Sequence, residues 1–380
     1  MIYADYASTT PLDPEVLERM TPYFSGCFGN GSSVHAFGRE AATAVEKARG
    51  QIAQVLGAEK KEIYFTSGGT ESDNWAVWGT AQKSRQRGRH IITSQIEHHA
   101  VLNTCKALEA DGFSVTYLPV DAFGRVSVRQ MKEAITPETV LISVMAANNE
   151  IGTLQPIAEI GALAAEYGIP FHTDAVQAAG STAIAVNEQK ITMLSLSAHK
   201  FFGPKGVGAL YIREGHRIQN LMQGGAQERD RRPGTLNVPG IVGMGYALEK
   251  QYAQREQRCA AALAAAQRIK EQVLGCLEGV TLNGHPQDRL PGNLNFSFSG
   301  VQAESLLLLL DFCGIACSAG AACSAGAVKP SHVLMAVKKD EVFAKSALRI
   351  TVSHQTTMQE AEQIGKAIVQ NVKKIRGLSL

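Results

Sequence analysis

Lys200 stands in the run LSLSAHKFFGPKGVG (194–208). Met193 to Leu196 reads as a strand, small polar residues end it, and the pair His199-Lys200 follows just before a glycine-rich turn. A lysine amine delivered this way beside a histidine can hold a carbonyl cofactor as a Schiff base. Upstream, Asp174 ends a second buried-looking strand in FHTDAVQAAG (171–180). Open α/β sheets bind ligands at the carboxyl ends of their strands, so the two side chains can face one crevice. An isolated His-Lys pair is usually a surface feature beside a turn; the Asp174 segment changes that reading.

A carboxylate that keeps a pyridine nitrogen protonated, together with a Schiff-base lysine, is what pyridoxal 5'-phosphate (PLP) chemistry requires. A cation beside Asp174 favours its ionised form. The phosphate needs N–H donors at a helix N-terminus. FTSGGTESDNWAVWG (65–79) offers a strand, the turn Ser67-Gly68-Gly69-Thr70, and a helix with Glu71 and Asp73 in its first turn. Alone, SGGT is as readily an ordinary helix cap. Joined to Asp174 and Lys200, it reads as a phosphate site.

Positioning these groups requires a sheet. EIYFTS (62–67), HIITS (90–94), SVTYLPV (114–120), VLISVMA (140–146), IPFHTD (169–174), MLSLSA (193–198) and VGALYIR (207–213) read as strands. Segments of helical period, such as IAEIGALAAEYG (157–168), separate most of them. This alternation predicts an α/β fold with a seven-stranded, mostly parallel sheet covered by helices. The link between the last two strands is too short for a parallel crossover, so they are expected to be antiparallel. A long Ala-rich helix from Ile241 to about Val273 carries the chain into a small α+β domain. We expect a large cofactor-binding domain over 13–257 and a small domain from 1–12 and 258–380, with a cysteine loop at about 316–330.

The chain has 380 residues, 45% of them hydrophobic, and a net charge of +2, enough apolar content for a large core and no footprint for direct nucleic-acid binding. No apolar run reaches the length of a membrane span, and MIYADYASTT lacks the pattern of a signal peptide. Seven scattered cysteines suggest working thiols in a reducing, cytoplasmic setting rather than a disulfide framework. No metal site is expected.

FTSGGTESDN, MAANNEIGTLQPI, FHTDAVQAAG, SLSAHKFFGPKGVGALY, GTLNVPGIVGMG and a late cysteine loop occur in order. With them the chain resembles the bacterial cysteine desulfurases, in the class V aminotransferase group of fold-type-I PLP enzymes, over nearly its full length. The resemblance implies PLP bound as a Schiff base on Lys200, with Asp174 at the pyridine nitrogen and Gln177 at the phenolic oxygen. It implies His98 stacked on the ring as a proton shuttle, and Asn148 near the ring oxygen. Gly69, Thr70, Ser197 and His199 match phosphate ligands. Thr235 matches a threonine that reaches the neighbouring subunit's phosphate, which implies a homodimer. Arg349, with Asn30 in support, matches the binder of the substrate carboxylate, where a bidentate guanidinium is the natural donor.

The same resemblance implies conversion of L-cysteine to L-alanine, with the sulfur left on a cysteine as a persulfide. It would then pass to an acceptor such as an iron–sulfur scaffold or a tRNA-thiolation enzyme. ACSAG occurs at 316–320 and again at 322–326, so Cys317 and Cys323 compete for this role. The family spacing, seven residues before the proline of Pro330-Ser331-His332-Val333-Leu334, selects Cys323. The Ala, Ser and Gly composition of the loop permits the thiol to swing. Cys105, Cys259, Cys276 and Cys313 are expected to be small buried hydrophobes. A class V aminotransferase needs no such thiol; a selenocysteine lyase on the same fold stays a rival, with selenocysteine as substrate; a non-catalytic sulfur carrier would not need Lys200, Asp174 and His98. The stretch Asp5-Tyr6-Ala7-Ser8-Thr9-Thr10, Gly31, Pro233 and Ser353-His354-Gln355 depart from the family pattern, around the substrate mouth and the subunit contact.

Overall fold

The computed structural model describes residues 1–319, 330–338 and 340–377. Its strands are β1 (Ile2–Tyr3), β2 (Ile63–Thr66), β3 (His90–Ser94), β4 (Ser114–Leu118), β5 (Thr139–Ser143) and β6 (Phe171–Asp174), followed by β7 (Met193–Ser197), β8 (Gly208–Ile212), β9 (Val280–Leu282), β10 (Asn293–Phe298), β11 (Ile315–Ala316) and β12 (Ala347–Thr351). The seven strands expected from the sequence form one sheet in the order β2-β8-β7-β6-β5-β3-β4. From β7 to β4 the pairing is parallel. β8 is antiparallel to β7, as its short link dictates, and also to β2.

Consecutive side chains of this sheet enter different cores. Ile92, Ile142 and Leu194 pack on one face with the helices Ala36–Leu56 and Val238–Ala253. Ile91, Leu141 and Met193 pack on the other with Gly69–Ser84 and His99–Ala110. This is the period of two expected of a strand, with both faces apolar because both are covered by helices.

A second antiparallel sheet, β12-β10-β9, carries its own core. Phe296, Phe298, Leu348 and Ile350 pack there against Ile269, Ile364 and Ile368 of the helices Arg255–Cys276 and Met358–Ile375. The single helix expected from Ile241 to about Val273 is in fact two, Val238–Ala253 and Arg255–Cys276, broken at Gln254 (φ −106°, ψ 13°). No glycine or proline marks the break. It falls where the chain leaves the partner helix Ala36–Leu56 and begins to pack on Met358–Ile375.

The N-terminus ties these parts together. β1 pairs with β11, Asp5 bridges to Thr351 of β12, and Thr10 donates its N–H and its hydroxyl to the His199 carbonyl. Residues 5–10 therefore cross directly over the end of β7, where Lys200 emerges.

Candidate active site

A cavity of about 580 Å³ opens at the carboxyl ends of β6 and β7. Gly69, Thr70, Ser197 and His199 border it at one end. There β2 turns through Ser67-Gly68 into the helix Gly69–Ser84. A Cβ on Gly69 would lie 2.7 Å from Val176 Cγ2, and one on Gly208 would lie 2.6 Å from Gly68 Cα. Only glycines allow the helix start to come this close to the sheet. The first N–H groups of a helix have no intrahelical acceptor, and the helix dipole adds positive potential, so this end of the cavity suits an anion. Glu71 in the same turn is neutralised by Arg232, at 2.8 Å. Together with hydrogen bonds from Ser67, the guanidinium holds the Glu71 carboxyl below its usual range against the opposing effect of burial.

Asp174 and Lys200 both line this cavity, and each feels the other's charge. Asp174 Oδ1 accepts the Val176 N–H at 2.9 Å. Burial pushes its pKa upward, while that N–H, His98 and Lys200 favour the charged form. Lys200 sits on a single 3-10 turn after β7, and its Nζ donates to the carbonyls of Ala7 (2.6 Å) and Ser8 (2.9 Å). Burial and then Arg349 bring its pKa down to about 8, against the opposing pull of Asp174 and Asp5. The amine is thus far closer to a neutral nucleophile than an exposed lysine. Gln177 Nε2 donates to the same Ala7 carbonyl at 2.8 Å.

His98 caps the helix His99–Ala110, its Nδ1 accepting the Ala100 N–H at 3.1 Å. In the neutral ring the proton therefore sits on Nε2. Burial lowers the His98 pKa despite the attraction of Asp174, with Lys200 and His99 lowering it further. A neutral imidazole with one exchangeable proton can accept or donate at neutral pH.

Arg349 of β12 closes the far end and is 4% exposed. Its Nη2 donates to Asp5 Oδ1 (2.8 Å) and Ser8 Oγ (2.6 Å), and its Nη1 to the Asn149 carbonyl (3.1 Å). Nε is buried and has no hydrogen-bond partner among the described residues. A cation with a free donor suits a carboxylate. Ser8, one of the positions departing from the family pattern, is thus in direct contact with this arginine.

Three residues singled out in the sequence do not reach the cavity. Asn148 is fully buried: its Nδ2 donates to the Ile96 carbonyl, and its Oδ1 accepts the N–H groups of Glu150 and Ile151. It shapes the turn, and the adjacent Asn149 lines the cavity instead. Asn30 is exposed and spends its Oδ1 on the Ser32 N–H. Thr235 is exposed and does not line this chain's cavity. Conversely, Asp73, His99, Glu150, Ser331 and His332 border the cavity without having been singled out. The rings of His99 and His332 meet edge-on with centroids 4.7 Å apart.

Cys323 lies outside the described residues. Cys317 is half-buried against the small-sheet core, and burial, with Asp5 and Asp311, pushes its thiol up to about 12. Cys105 is buried as expected and Cys259 half-buried, but Cys276 and Cys313 are exposed. Each lies at the C-terminal end of a helix, as the last residue of Arg255–Cys276 and as the cap of Ala303–Phe312, where the apolar stripe no longer faces the core.

The donor set fits PLP. The glycine-lined helix start matches a phosphate, the buried Asp174 a pyridine nitrogen, Lys200 a carbonyl carbon, and Gln177 a phenolic oxygen. Comparison with known proteins agrees. The "Aminotransferase class-V" family pattern matches residues 2–364. The chain is 50% identical over 378 residues to "Cysteine desulfurase IscS" of Methanosarcina thermophila, covering 100% of this chain and 93% of that protein. Among solved structures, a "NIFS-LIKE PROTEIN" superposes with a TM-score of 0.92 at 36% identity, covering 98% of this chain and 99% of the other. "SspA in complex with cysteine" superposes with a TM-score of 0.82 at 40% identity, over 93% and 99% of the two chains. The chain belongs to the class V aminotransferase family, in its branch of PLP-dependent cysteine desulfurases.

Proposed function

We propose that this enzyme takes sulfur from L-cysteine onto Cys323 as a persulfide and passes it to an acceptor protein. The observation that carries the reading is the convergence of Lys200, Asp174, His98 and Arg349 on one cavity. That cavity is bordered by Ser318 on one side of the Cys323 segment and by Pro330 and Ser331 on the other. Four residues lie between Ser318 and Cys323 and six between Cys323 and Pro330. At about 3.3–3.6 Å of reach per residue, the thiol can be brought to the cavity from either end.

PLP, when bound, supplies an electron sink that stabilises negative charge at the substrate Cα. Arg349 would hold the substrate carboxylate with its guanidinium, in competition with Asp5. Lys200 would hold the cofactor carbonyl, and its amine, when free, would take the substrate Cα proton. Asp174 would keep a proton on the ring nitrogen, Gln177 would hold the ring oxygen, and His98 would move protons from its Nε2. Gly69, Thr70, Ser197 and His199 hold the phosphate. Asn149, which lines the cavity, would make the cofactor contact that the buried Asn148 cannot reach. The Cys323 thiolate then attacks the substrate Sγ: an S–S bond forms as the Cβ–S bond breaks, and the protonated carbon product leaves as alanine. Cys317, with its raised pKa, stays a packing residue.

A homodimer with shared sites agrees with the exposure of Thr235 on a segment fastened to the phosphate end by Arg232–Glu71. It also agrees with an exposed apolar patch in which Phe28 stacks on Phe37 at 5.6 Å, near Phe24 and Val34. Asn30, on the same exposed stretch, acts after that assembly or through substrate binding. The division into domains at 1–12, 13–257 and 258–380 lets the β12 sheet move Arg349 against Lys200. Free thiols suit a reducing cytoplasm, with an iron–sulfur scaffold or a tRNA-thiolation enzyme as acceptor. The test is reaction with one equivalent of L-cysteine labelled at sulfur, followed by peptide mapping. The label is expected on the Cys323 peptide with one alanine released; label on the Cys317 peptide, or alanine without protein-bound sulfur, rejects the reading.

A further inference from the structure

Under the cofactor cavity lies a second acid that none of the roles above uses. Asp73 belongs to the first turns of the helix Gly69–Ser84, lines the cavity with Asp174, and is 1% exposed. Its Oδ1 is buried with no hydrogen-bond partner among the described residues. His172 Nε2 lies 3.7 Å from this oxygen but is committed to Ser195 Oγ at 3.0 Å, and His172 Nδ1 to Ser143 Oγ at 2.9 Å. His172 is fully buried and cannot serve as a counter-cation, because burial pushes its pKa down to about 3. Glu97, also fully buried, adds another carboxyl nearby.

Two carboxylates buried at one cavity repel, and one proton on the pair removes the conflict. The surroundings decide which one keeps it. Asp174 accepts a backbone N–H and feels both His98 and Lys200, all favouring its charged form. Asp73 has only a contribution from the Ser195 hydroxyl, opposed by burial, Asp174 and Glu97, which together drive its proton affinity far up.

We propose that Asp73 is a neutral carboxylic acid at neutral pH and acts as a positioning residue for Asp174, so that the pair presents a single negative charge to the cofactor's ring nitrogen. A second charge there would bind the ring proton too tightly and would cost the fold a buried, unpaired anion. The neutral acid instead leaves the pair's one charge on Asp174, whose Oδ1 the Val176 N–H holds at 2.9 Å. This rests on reading Asp174 as the ring-nitrogen partner.

The test uses the PLP-loaded enzyme and three variants. Asn is a neutral isostere of a protonated Asp, whereas Leu fills the space without a donor. In infrared difference spectra of wild type against Asp73→Asn at neutral pH, a protonated-carboxyl C=O band is expected to disappear with no loss of carboxylate bands. Asp73→Asn is expected to keep cofactor affinity and the pH dependence of the cofactor's visible absorbance within about twofold. Asp73→Leu is expected to weaken cofactor retention at least tenfold. Loss of carboxylate bands in Asp73→Asn, or a tenfold or greater change in its cofactor titration, overturns the proposal. Should Asp73→Leu fail to fold, the infrared comparison decides alone. Asp174→Asn tests the parent reading separately: if its cofactor spectrum matches wild type, Asp174 is not the ring partner, while the infrared assignment of Asp73 stands or falls by itself.

Discussion

Lys200 should capture its cofactor as an amine whose pKa is near 8, and this can be measured on the cofactor-free protein. With its pKa brought down to about 8 by burial and Arg349, about 9% of the amine is neutral at pH 7. At the ordinary lysine value near 10.4 the neutral fraction would be about 0.04%, so the site gains roughly two hundredfold in reactive amine. The sign follows from the charged form being the disfavoured one: the neutral fraction grows as pH rises toward 8 and saturates above it. In stopped-flow mixing with saturating PLP, the first-order rate of covalent capture should rise about tenfold per pH unit below 7 and flatten near pH 8–9. Arg349→Leu removes the second-largest cause of the depression, so its plateau should move to higher pH. A wild-type rate still climbing tenfold per unit beyond about pH 9.5 would refute the reasoning.

The buried pair Arg49–Glu228, with side chains 3% and 1% exposed and Nη2 2.7 Å from Oε1, staples the segment before Thr235 to the sheet. Glu228 also accepts the Phe65 N–H at 2.7 Å and sits in a left-handed stretch with φ values of 45°, 58° and 61° at residues 228–230. Glu228→Ala should cost about 3–5 kcal/mol by stranding the guanidinium, and Arg49→Leu with Glu228→Leu should recover much of it; thermal melts showing under about 1 kcal/mol for each single change reject this account. His172, pushed down to about 3 by burial, refuses a proton that the unfolded chain accepts near 6.5. Stability should therefore fall as pH drops below about 6.5, by about 1.4 kcal/mol per unit from this residue alone. Urea midpoints should show that slope reduced in His172→Asn, and an unchanged slope contradicts the assignment. Arg349→Leu should raise KM for L-cysteine at least tenfold and leave affinity for the cofactor phosphate unchanged; an unaltered KM removes Arg349 from carboxylate binding.

Groups at the ends of strands were the legible part of this site. Asp174 ends β6 and Lys200 lies on the short turn directly after β7, so the carboxyl-edge rule brings both to one crevice without knowledge of the rest. Groups carried by turns were harder. In Asn148-Asn149 the two residues have the same chemistry, and only the folded turn shows that Asn148 is spent on the N–H groups of Glu150 and Ile151 while Asn149 faces the cavity. Asp73 was visible as an acid in a first helical turn, a common stabilising position, and its burial against Asp174 arises from the approach of helix to sheet that Gly69 and Gly208 permit. The break at Gln254 has no local signal, because packing partners rather than propensity decide it. Cys276 and Cys313 look apolar in composition, but each falls where its helix ends and faces solvent.

The central claim, that a cavity built around Lys200 prepares a carbon–sulfur bond for a thiol to break, is tested most directly by a single turnover with L-cysteine. Alanine formed and sulfur bound to protein should be compared in wild type, Cys323→Ser and Cys317→Ser. One alanine and one protein-bound sulfur per site are expected from wild type and from Cys317→Ser, with neither from Cys323→Ser. Alanine and bound sulfur persisting in Cys323→Ser and vanishing in Cys317→Ser would contradict the account.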